Sequence, residues 1–332
     1  MQVHRDINNL PLFKNAVITI GTFDGVHIGH LKIIQQLKEE AKKINGESVI
    51  ITFDPHPRLI VSQAANNEKK NEEINLLNTL DEKIELLSGQ NIDHLVIINF
   101  TRKFSEQPAE KYITDFLVKT FHPHTIIIGY DHHFGKNRKG NYKLLETFAP
   151  RFNFRVIEIP EHVLNQVTIS STKIRESLLN CDTETANKYL GYTYFFDGVV
   201  VEGDKIGRAL GYPTANLKTT DKNKLIPGNG IYAVKVALMK SPIDTYRESG
   251  VDKHHTSNIV LHKGMMSIGI RPTIGNSLRT IEVNIFDFDK DIYGQNLRVY
   301  VKKHLREEKK FSGLEELKNA IAKDKIEALK YA

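Results

Sequence analysis

The chain has 332 residues, long enough for two domains, and its 40% hydrophobic and 26% charged content is that of a globular protein. The single cysteine, Cys181, excludes an intramolecular disulfide and a cysteine-based zinc site. Because no apolar run approaches the about 18 residues that span a bilayer and no signal-peptide pattern is present, we expect a cytoplasmic protein without a membrane partner. The net charge of +6 permits a polyanionic partner, but the lysines are dispersed, so nucleotide binding explains the charge as well as nucleic-acid binding does. We expect no nucleic-acid partner.

The stretch 21–30, GTFDGVHIGH, lies between an apolar run at 16–20 and a helical pattern with one apolar face. It predicts a strand, a glycine-rich turn and a helix. The free N–H groups at a helix start attract phosphate, and glycines let the backbone approach a ligand closely. His27 and His30 can then stabilise negative charge that develops at phosphorus. The alternative is that both histidines are ordinary polar surface residues.

Further strands are predicted at 48–53, 94–100, 125–130 and 154–160, with helices at 105–121 and 141–152. Thr79 and Glu82 form a capping-box pattern that predicts another helix, whereas polar residues 63–75 predict a surface loop. This alternation predicts a parallel sheet with right-handed crossovers. The turn at 21–30 and the FDPHP segment at 53–57 then lie at its carboxyl edge, where such sheets bind ligands.

Two later segments have the composition of nucleotide-binding loops. Residues 129–140, GYDHHFGKNRKG, mix glycine, aromatic and basic residues, which suits a flat ring and phosphate; a histidine-rich metal loop is the alternative. Residues 169–175, ISSTKIR, place hydroxyl groups before a helix, where they can cap it and donate to phosphate oxygens. Arg175 adds a guanidinium that fits two phosphate oxygens, although the segment is also compatible with a plain capped helix.

Beyond 183–191 the pattern changes to short strands, predicted at 192–201, 231–238, 258–262, 281–288 and 297–301, which together indicate an antiparallel barrel. A final helix is predicted behind a capping box of Ser312 and Glu315. The glycine-rich segment 203–216 can cradle phosphate, and Thr214 and Asn216 offer the hard oxygen ligands that suit Mg²⁺. A bare barrel turn is the alternative. Residues 239–266 are long and polar for this position and suggest a hairpin insertion.

Several of these motifs resemble those of known families. The His27-Ile28-Gly29-His30 sequence resembles the HxGH signature of the nucleotidylyltransferases, and ISSTKIR resembles their second signature. The GTFDG lead-in, the FDPHP segment and the GxxxxFGxxxxG frame at 129–140 are similar to the flavin branch. The second half resembles riboflavin kinase in residues 203–216, in 267–273 and at Tyr293-Gly294. The chain is identified as a member of the bacterial bifunctional riboflavin kinase/FMN adenylyltransferase family.

The resemblance implies an α/β fold: a Rossmann-like nucleotidylyltransferase domain at 1–186, then an antiparallel Greek-key riboflavin kinase barrel with a C-terminal helix at 187–332. It implies that ATP phosphorylates riboflavin to FMN, and that a second ATP adenylylates FMN to FAD and pyrophosphate, with Mg²⁺. Flavins and ATP would be its partners, and the oligomeric state stays open. A single-activity FMN adenylyltransferase and a non-catalytic flavin-binding regulator are the alternatives.

The implied site residues fall into three groups. The catalytic residues are His27, His30, Arg175 and Glu282. Nucleotide binding is assigned to Gly21, Thr22, Phe23, Asp24, Gly29, Asp131, Ser170, Ser171, Thr172, Gly207 and Arg208, and the metal to Thr214 and Asn216. Strand alternation places Glu282 with Asn284 opposite the apolar side chains of Ile281, Val283 and Ile285, so we expect Glu282 to face a cleft, where the family's general base lies.

Overall fold

The computed structural model describes residues 1–65, 75–160, 169–203, 207, 211–239, 260–273 and 276–332. The chain divides into two compact units, Met1–Ser171 and Thr172–Ala332. None of the helices in the described ranges combines the length and the apolar character that a membrane crossing requires.

The first unit is built on a six-stranded parallel sheet with the strand order β1-β4-β3-β2-β5-β6. Its central strands are apolar on both faces because helices cover both sides. The strands are β1 Gln2–His4, β2 Val17–Ile20, β3 Ser48–Asp54, β4 His94–Asn99, β5 Thr125–Gly129 and β6 Arg155–Ile159.

The helices of this unit connect the strands, and two of them lie close to the candidate site. Helix α1, Ile28–Lys43, follows β2, and α3, Leu80–Ser88, precedes β4. The predicted capping box of α3 is confirmed, since Glu82 N–H donates to Thr79 Oγ1 and Thr79 N–H donates to Glu82 Oε2. The others are α2 Pro57–Ala65, α4 Arg102–Ser105, α5 over 109–121 with its middle, Tyr112–Val118, π-helical, and α6 Tyr142–Phe152.

Strand β2 lies between β3 and β5. The chain adds β3 and β4 on one side of β2 and later adds β5 and β6 on the other side. This is the topological switch point of the sheet, where α/β folds bind ligands. The prediction that residues 21–30 lie at the carboxyl edge of a parallel sheet is therefore confirmed. Asp54 ends the neighbouring strand β3, and Gly129 ends β5.

Two local predictions in this unit were wrong at their starting residues. A helix begins at Pro57 and reaches Ala65, where a loop from residue 63 was expected; proline is favoured at a first helical position because its missing N–H is not needed there. Residues 66–74 of the predicted loop lie outside the described residues. The helix predicted at 105–121 is confirmed from Ala109 onward, but it starts after Pro108, its N-cap, and Ser105 is the last residue of the separate short helix α4.

The second unit is a closed six-stranded barrel with the order β10-β11-β8-β7-β12-β9. All of its neighbouring strands are antiparallel. Helices α7 Ser171–Leu179 and α8 Thr183–Leu190 precede the barrel, and α9 Leu314–Tyr331 follows it. The strands are β7 Phe195–Val201, β8 Ala215–Thr219, β9 Gly230–Met239, β10 Leu261–Thr273, β11 Asn276–Ile285 and β12 Asn296–Arg306. The predicted fold class, a parallel α/β sheet followed by a Greek-key barrel with a closing helix, is confirmed.

Sequence pattern missed some details of the barrel. Strand β8 was not predicted, because its five residues carry a single buried side chain, Leu217, and show no clear alternation. Of the strand predicted at 258–262, residues 261 and 262 begin the much longer β10, and residues 258 and 259 lie outside the described residues. The capping box of Ser312 with Glu315 was wrong, since Ser312 donates its N–H and its hydroxyl to Glu316 Oε2. Residues 240–259 of the suggested insertion lie outside the described residues.

The helices before the barrel are packed into the second unit. The Leu178 carbonyl accepts from Gly228 N–H at 2.9 Å, and Thr183 Oγ1 accepts from His304 N–H at 3.2 Å. The side chains of Ile174 and Leu178 are fully buried. We therefore expect a fragment 172–332 to be more stable than a fragment 187–332, by on the order of 3 kcal/mol or more from the lost apolar burial.

Urea unfolding of the two fragments, followed by circular dichroism, measures this difference. The predicted domain boundary at 186/187 remains a prediction that the same experiment addresses. Equal midpoints and equal slopes for both fragments would show that α7 and α8 add nothing to the barrel, which would support a barrel domain that starts at 187.

Candidate active sites

The first site is the turn between β2 and α1. The sheet ladder runs one residue past β2, where Gly21 N–H donates to the Ile51 carbonyl at 3.0 Å. His27 is the N-cap of α1, and its Nδ1 accepts from His30 N–H at 3.4 Å. The two imidazole rings stack with centroids 3.7 Å apart and an angle of 16° between their planes. Both predicted catalytic histidines therefore lie side by side at a helix start.

Small residues make this close stacking possible. A Cβ on Gly29 would lie 3.1 Å from the His27 ring, and a Cβ on Gly21 would lie 3.2 Å from the Phe23 ring. Gly25 has φ of +89°, which favours glycine. The buried Phe23 ring packs on His30 with centroids 5.1 Å apart. Phe23 thus supports the histidine pair from the protein side.

The His30 imidazole is uncharged near neutral pH. Burial, with the charges of His27 and Lys83, lowers the pKa of His30 well below its usual value. Its Nδ1 is buried and has no hydrogen-bond partner among the described residues. A neutral imidazole keeps one ring N–H, so His30 can still donate to a phosphate oxygen.

Asp24 in this turn has a different contact from the one expected. Its side chain is 2% exposed, and Oδ1 accepts from the N–H groups of Leu77 and Asn78 at 3.0 and 3.2 Å. Its carbonyl oxygen accepts from Ser171 Oγ at 2.9 Å. The carboxylate thus anchors the segment before α3, while the backbone joins the first signature to the second. A direct contact of Asp24 with nucleotide remains a prediction.

The second signature crosses the division between the two units. Ser170 is exposed, and Ser171 is the last residue of the first unit, where its hydroxyl donates to the Asp24 carbonyl. Thr172, which is exposed, and Arg175, which is partly buried, belong to the second unit. It remains a prediction that phosphate is bound by the hydroxyl groups of Ser170 and Thr172 and by the guanidinium of Arg175.

The loop at 129–140 is anchored by the aromatic ring of Phe134, which packs against Tyr112 of α5 and against Gly140 of the loop itself. Phe134 is buried and stacks on Tyr112 with centroids 5.0 Å apart, and Gly140 leaves no room for a Cβ against the Phe134 ring. This aromatic ring is therefore part of the core, whereas Tyr130 and Asp131 are exposed. Burial lowers the pKa of His132 to about 4, although Asp131 partly opposes this. Among the described residues, no group of three or more His, Cys, Asp or Glu side chains is placed to hold a metal.

The second site lies in the barrel, where β8 pairs with β11. Glu282 is the register partner of Asn216, and Thr214 Oγ1 donates to Glu282 Oε2 at 3.2 Å. A Cβ on Gly203 would overlap the Asn216 amide, and a Cβ on Gly207 would lie 3.2 Å from Thr214 Oγ1. The structure thus brings Thr214, Asn216 and Glu282 together beneath two glycines of one segment. Arg208 lies outside the described residues.

The environment of Glu282 differs in part from the expectation. Ile281, Val283 and Ile285 are buried as predicted, and Glu282 is partly exposed. Asn284, which was expected to share the open face with Glu282, is only 5% exposed. Its side-chain amide donates to the Pro213 carbonyl at 2.6 Å, which holds the segment that carries Thr214. Asn284 therefore has a structural contact of its own.

Sequence reasoning did not single out Lys83. This lysine on α3 is 5% exposed and lies with Ile84 and Leu87 on the buried side of the helix. The sequence signal is slight: Lys83 lies three residues after Leu80 and four before Leu87, so it shares a helix face with both.

The first unit is a doubly wound sheet with a pair of histidines in the turn at its switch point. The second unit is a closed barrel with the oxygen-bearing side chains of Thr214, Asn216 and Glu282 close together. The FAD synthetase family model matches residues 11–173, and the riboflavin kinase family model matches residues 190–332. The chain therefore belongs to the family of bifunctional riboflavin kinase/FMN adenylyltransferases. The predicted boundary at 186/187 falls between the two matches.

Curated relatives match over their full length. The bifunctional riboflavin kinase/FMN adenylyltransferase of Buchnera aphidicola subsp. Schizaphis graminum is 37% identical, over 99% of this chain and 98% of the relative. The protein of the same name from Escherichia coli K12 is 32% identical, over 100% and 98%. A crystal structure from Streptococcus pneumoniae, described as a macrolide-efflux protein, is 26% identical with a TM-score of 0.82 and covers 99% of both chains.

Proposed function

We propose that this chain is a cytoplasmic enzyme that phosphorylates riboflavin with ATP to FMN and then adenylylates FMN with a second ATP to FAD and pyrophosphate. The observation that carries the proposal is that each unit gathers its chemistry-bearing residues at one place. The stacked His27–His30 pair caps a helix start in the first unit, and Thr214, Asn216 and Glu282 meet in the second. Family membership supports both activities.

In the kinase step, the primary hydroxyl of the ribityl chain attacks the γ-phosphorus of ATP, and ADP leaves. Glu282 accepts the hydroxyl proton, because a carboxylate within hydrogen-bond reach can orient a weak nucleophile and act as its base. The family resemblance assigns Gly207 and Arg208 to the nucleotide phosphates. Family resemblance implies Mg²⁺ here, and the hard oxygen atoms of Thr214 and Asn216, adjacent to a carboxylate, fit such an ion. When bound, Mg²⁺ neutralises phosphate charge and orients the γ-phosphoryl group.

In the adenylyl-transfer step, a phosphate oxygen of FMN attacks the α-phosphorus of ATP, and pyrophosphate leaves. His27, His30 and the N–H groups at the start of α1 face the charge that develops on the phosphates. Gly21, Thr22, Phe23 and Gly29 shape the turn, and Asp131 contacts the nucleotide. The hydroxyl groups of Ser170, Ser171 and Thr172 and the guanidinium of Arg175 donate to phosphate oxygens.

A single assay tests the proposal. Purified protein is incubated with riboflavin, ATP and Mg²⁺, and the flavins are separated by chromatography. Formation of FMN followed by FAD is the expected result. FAD formed only from supplied FMN would support a single-activity FMN adenylyltransferase, and flavin binding without any product would support a regulator; either result would overturn the bifunctional assignment.

A further inference from the structure

Asn284 is a buried polar residue of the barrel that the reactions above do not use. Its side chain is 5% exposed, and its register partner on β10, Met265, is buried as well. Asparagine is mostly found at protein surfaces, and inside a protein its amide is normally hydrogen-bonded. The bond that its Nδ2 donates to the Pro213 carbonyl, at 2.6 Å, therefore accounts for an asparagine at this position.

This bond lies where the pairing of β8 with β11 ends. The ladder joins Glu282 to Asn216 and Val283 to Ala215, so the next antiparallel pair would join residue 284 to residue 214. Strand β8 starts at Ala215, and just before it Pro213 has no N–H to donate to a neighbouring strand. The Asn284 side chain thus holds the segment at the point where backbone pairing stops.

The contact acts on the placement of Thr214. The Pro213 carbonyl oxygen and the N and Cα atoms of Thr214 belong to one planar peptide group, so a hydrogen bond to that oxygen restrains the plane from which the Thr214 side chain projects. Thr214 Oγ1 in turn donates to Glu282 Oε2 at 3.2 Å. Because Glu282 and Asn284 are two residues apart on one strand, β11 contacts two successive residues of the segment from one face.

We propose that Asn284 is a positioning residue for the kinase step: its amide fixes the Pro213–Thr214 peptide so that the Thr214 hydroxyl orients the carboxylate of Glu282. This inference rests on the proposed function of the second unit. A carboxylate that is held at one oxygen is restricted in its rotation, and a displacement of about 1 Å in a reacting group can cost about a hundredfold in rate.

The experiment is a double-mutant cycle of Asn284→Leu and Thr214→Val, in which kcat/KM for FMN formation is measured with riboflavin, ATP and Mg²⁺. Leucine is close to asparagine in shape but cannot donate, so Asn284→Leu should lower kcat/KM by about tenfold to a hundredfold. Valine removes the hydroxyl through which Asn284 acts. In the Thr214→Val background, Asn284→Leu should therefore change kcat/KM by less than about threefold, because the effects of coupled residues do not add.

The matched control is Asn319→Leu, which makes the same change at an exposed position of α9 and should keep the parent rate of FMN formation. FAD formation from supplied FMN, measured on the same preparations, should stay at the parent rate in every variant, because residues 214, 284 and 319 all belong to the second unit.

The outcomes separate this inference from the function on which it rests. A parent protein that forms no FMN contradicts the proposed function. With an active parent, an unchanged rate in Asn284→Leu contradicts the inference alone, and so does an equal fold loss with and without the Thr214 hydroxyl, which indicates a contact that only stabilises the barrel. If Asn284→Leu does not fold, Asn284→Asp takes its place in the cycle, because aspartate has the shape of asparagine but its carboxylate cannot donate to the Pro213 carbonyl.

Discussion

Glu282→Gln is expected to abolish most FMN formation from riboflavin while FAD formation from supplied FMN continues. Glutamine keeps the size of the side chain and can still accept from Thr214 Oγ1, which lies 3.2 Å from Glu282 Oε2, but it cannot act as a base. General-base assistance contributes on the order of a hundredfold to ten-thousandfold. Steady-state rates of both reactions, measured separately on one preparation, check the prediction.

A matched control for this variant is Asp289→Asn, which removes an exposed carboxylate from the same unit. It should leave both rates unchanged, because the solvent already screens that charge. If Glu282→Gln phosphorylated riboflavin at a rate close to that of the parent, Glu282 would be an ordinary strand carboxylate, and another group would have to accept the proton.

His30→Ala is expected to reduce FAD formation by on the order of a hundredfold to a thousandfold, as the loss of one well-placed donor to a developing anion does. The substitution also removes the ring that stacks on His27 and packs on Phe23. Phosphorylation of riboflavin should continue, because the kinase residues belong to the other unit. Paired assays of the two activities measure both effects.

His122→Asn serves as the control for this variant, since His122 is exposed and has φ of +43°, a conformation that asparagine tolerates. It should keep both activities. FAD synthesis that survives in His30→Ala at the parent rate would remove His30 from the catalytic assignment. Loss of both activities together with loss of the folded state would instead indicate a structural role.

The sequence was sufficient to predict the fold because its periodicities are local and strong. The short apolar runs of β2, β3 and β5 favoured strands covered on both faces, and their alternation with helices implied parallel pairing. The turn at 21–30 was predicted with its strand and helix. The hydrophobic pattern did not predict β8, in which only one side chain is buried. It also did not predict the helix that starts at Pro57.

Candidate residues were found by motif, but their contacts were not. The motifs that contain Thr214 and Asn216 lie about 70 residues before the strand that contains Glu282. The pairing of β8 with β11 brings these three side chains together. Asp24 shows the opposite case. Its motif suggested a ligand contact, whereas its carboxylate bonds to two N–H groups more than 50 residues away.

By itself, the sequence predicted the two-part architecture and the phosphate turn, because these depend on local periodicity, and its resemblance to family motifs supplied the candidate site residues. Only the tertiary structure decided which charges share an interior. Lys83 lies far from His30 along the chain, yet after burial and His27 it is one of the causes that lower the pKa of His30. Desolvation depends on every atom that surrounds a group, so the protonation of His30 is a property of the fold and not of the motif.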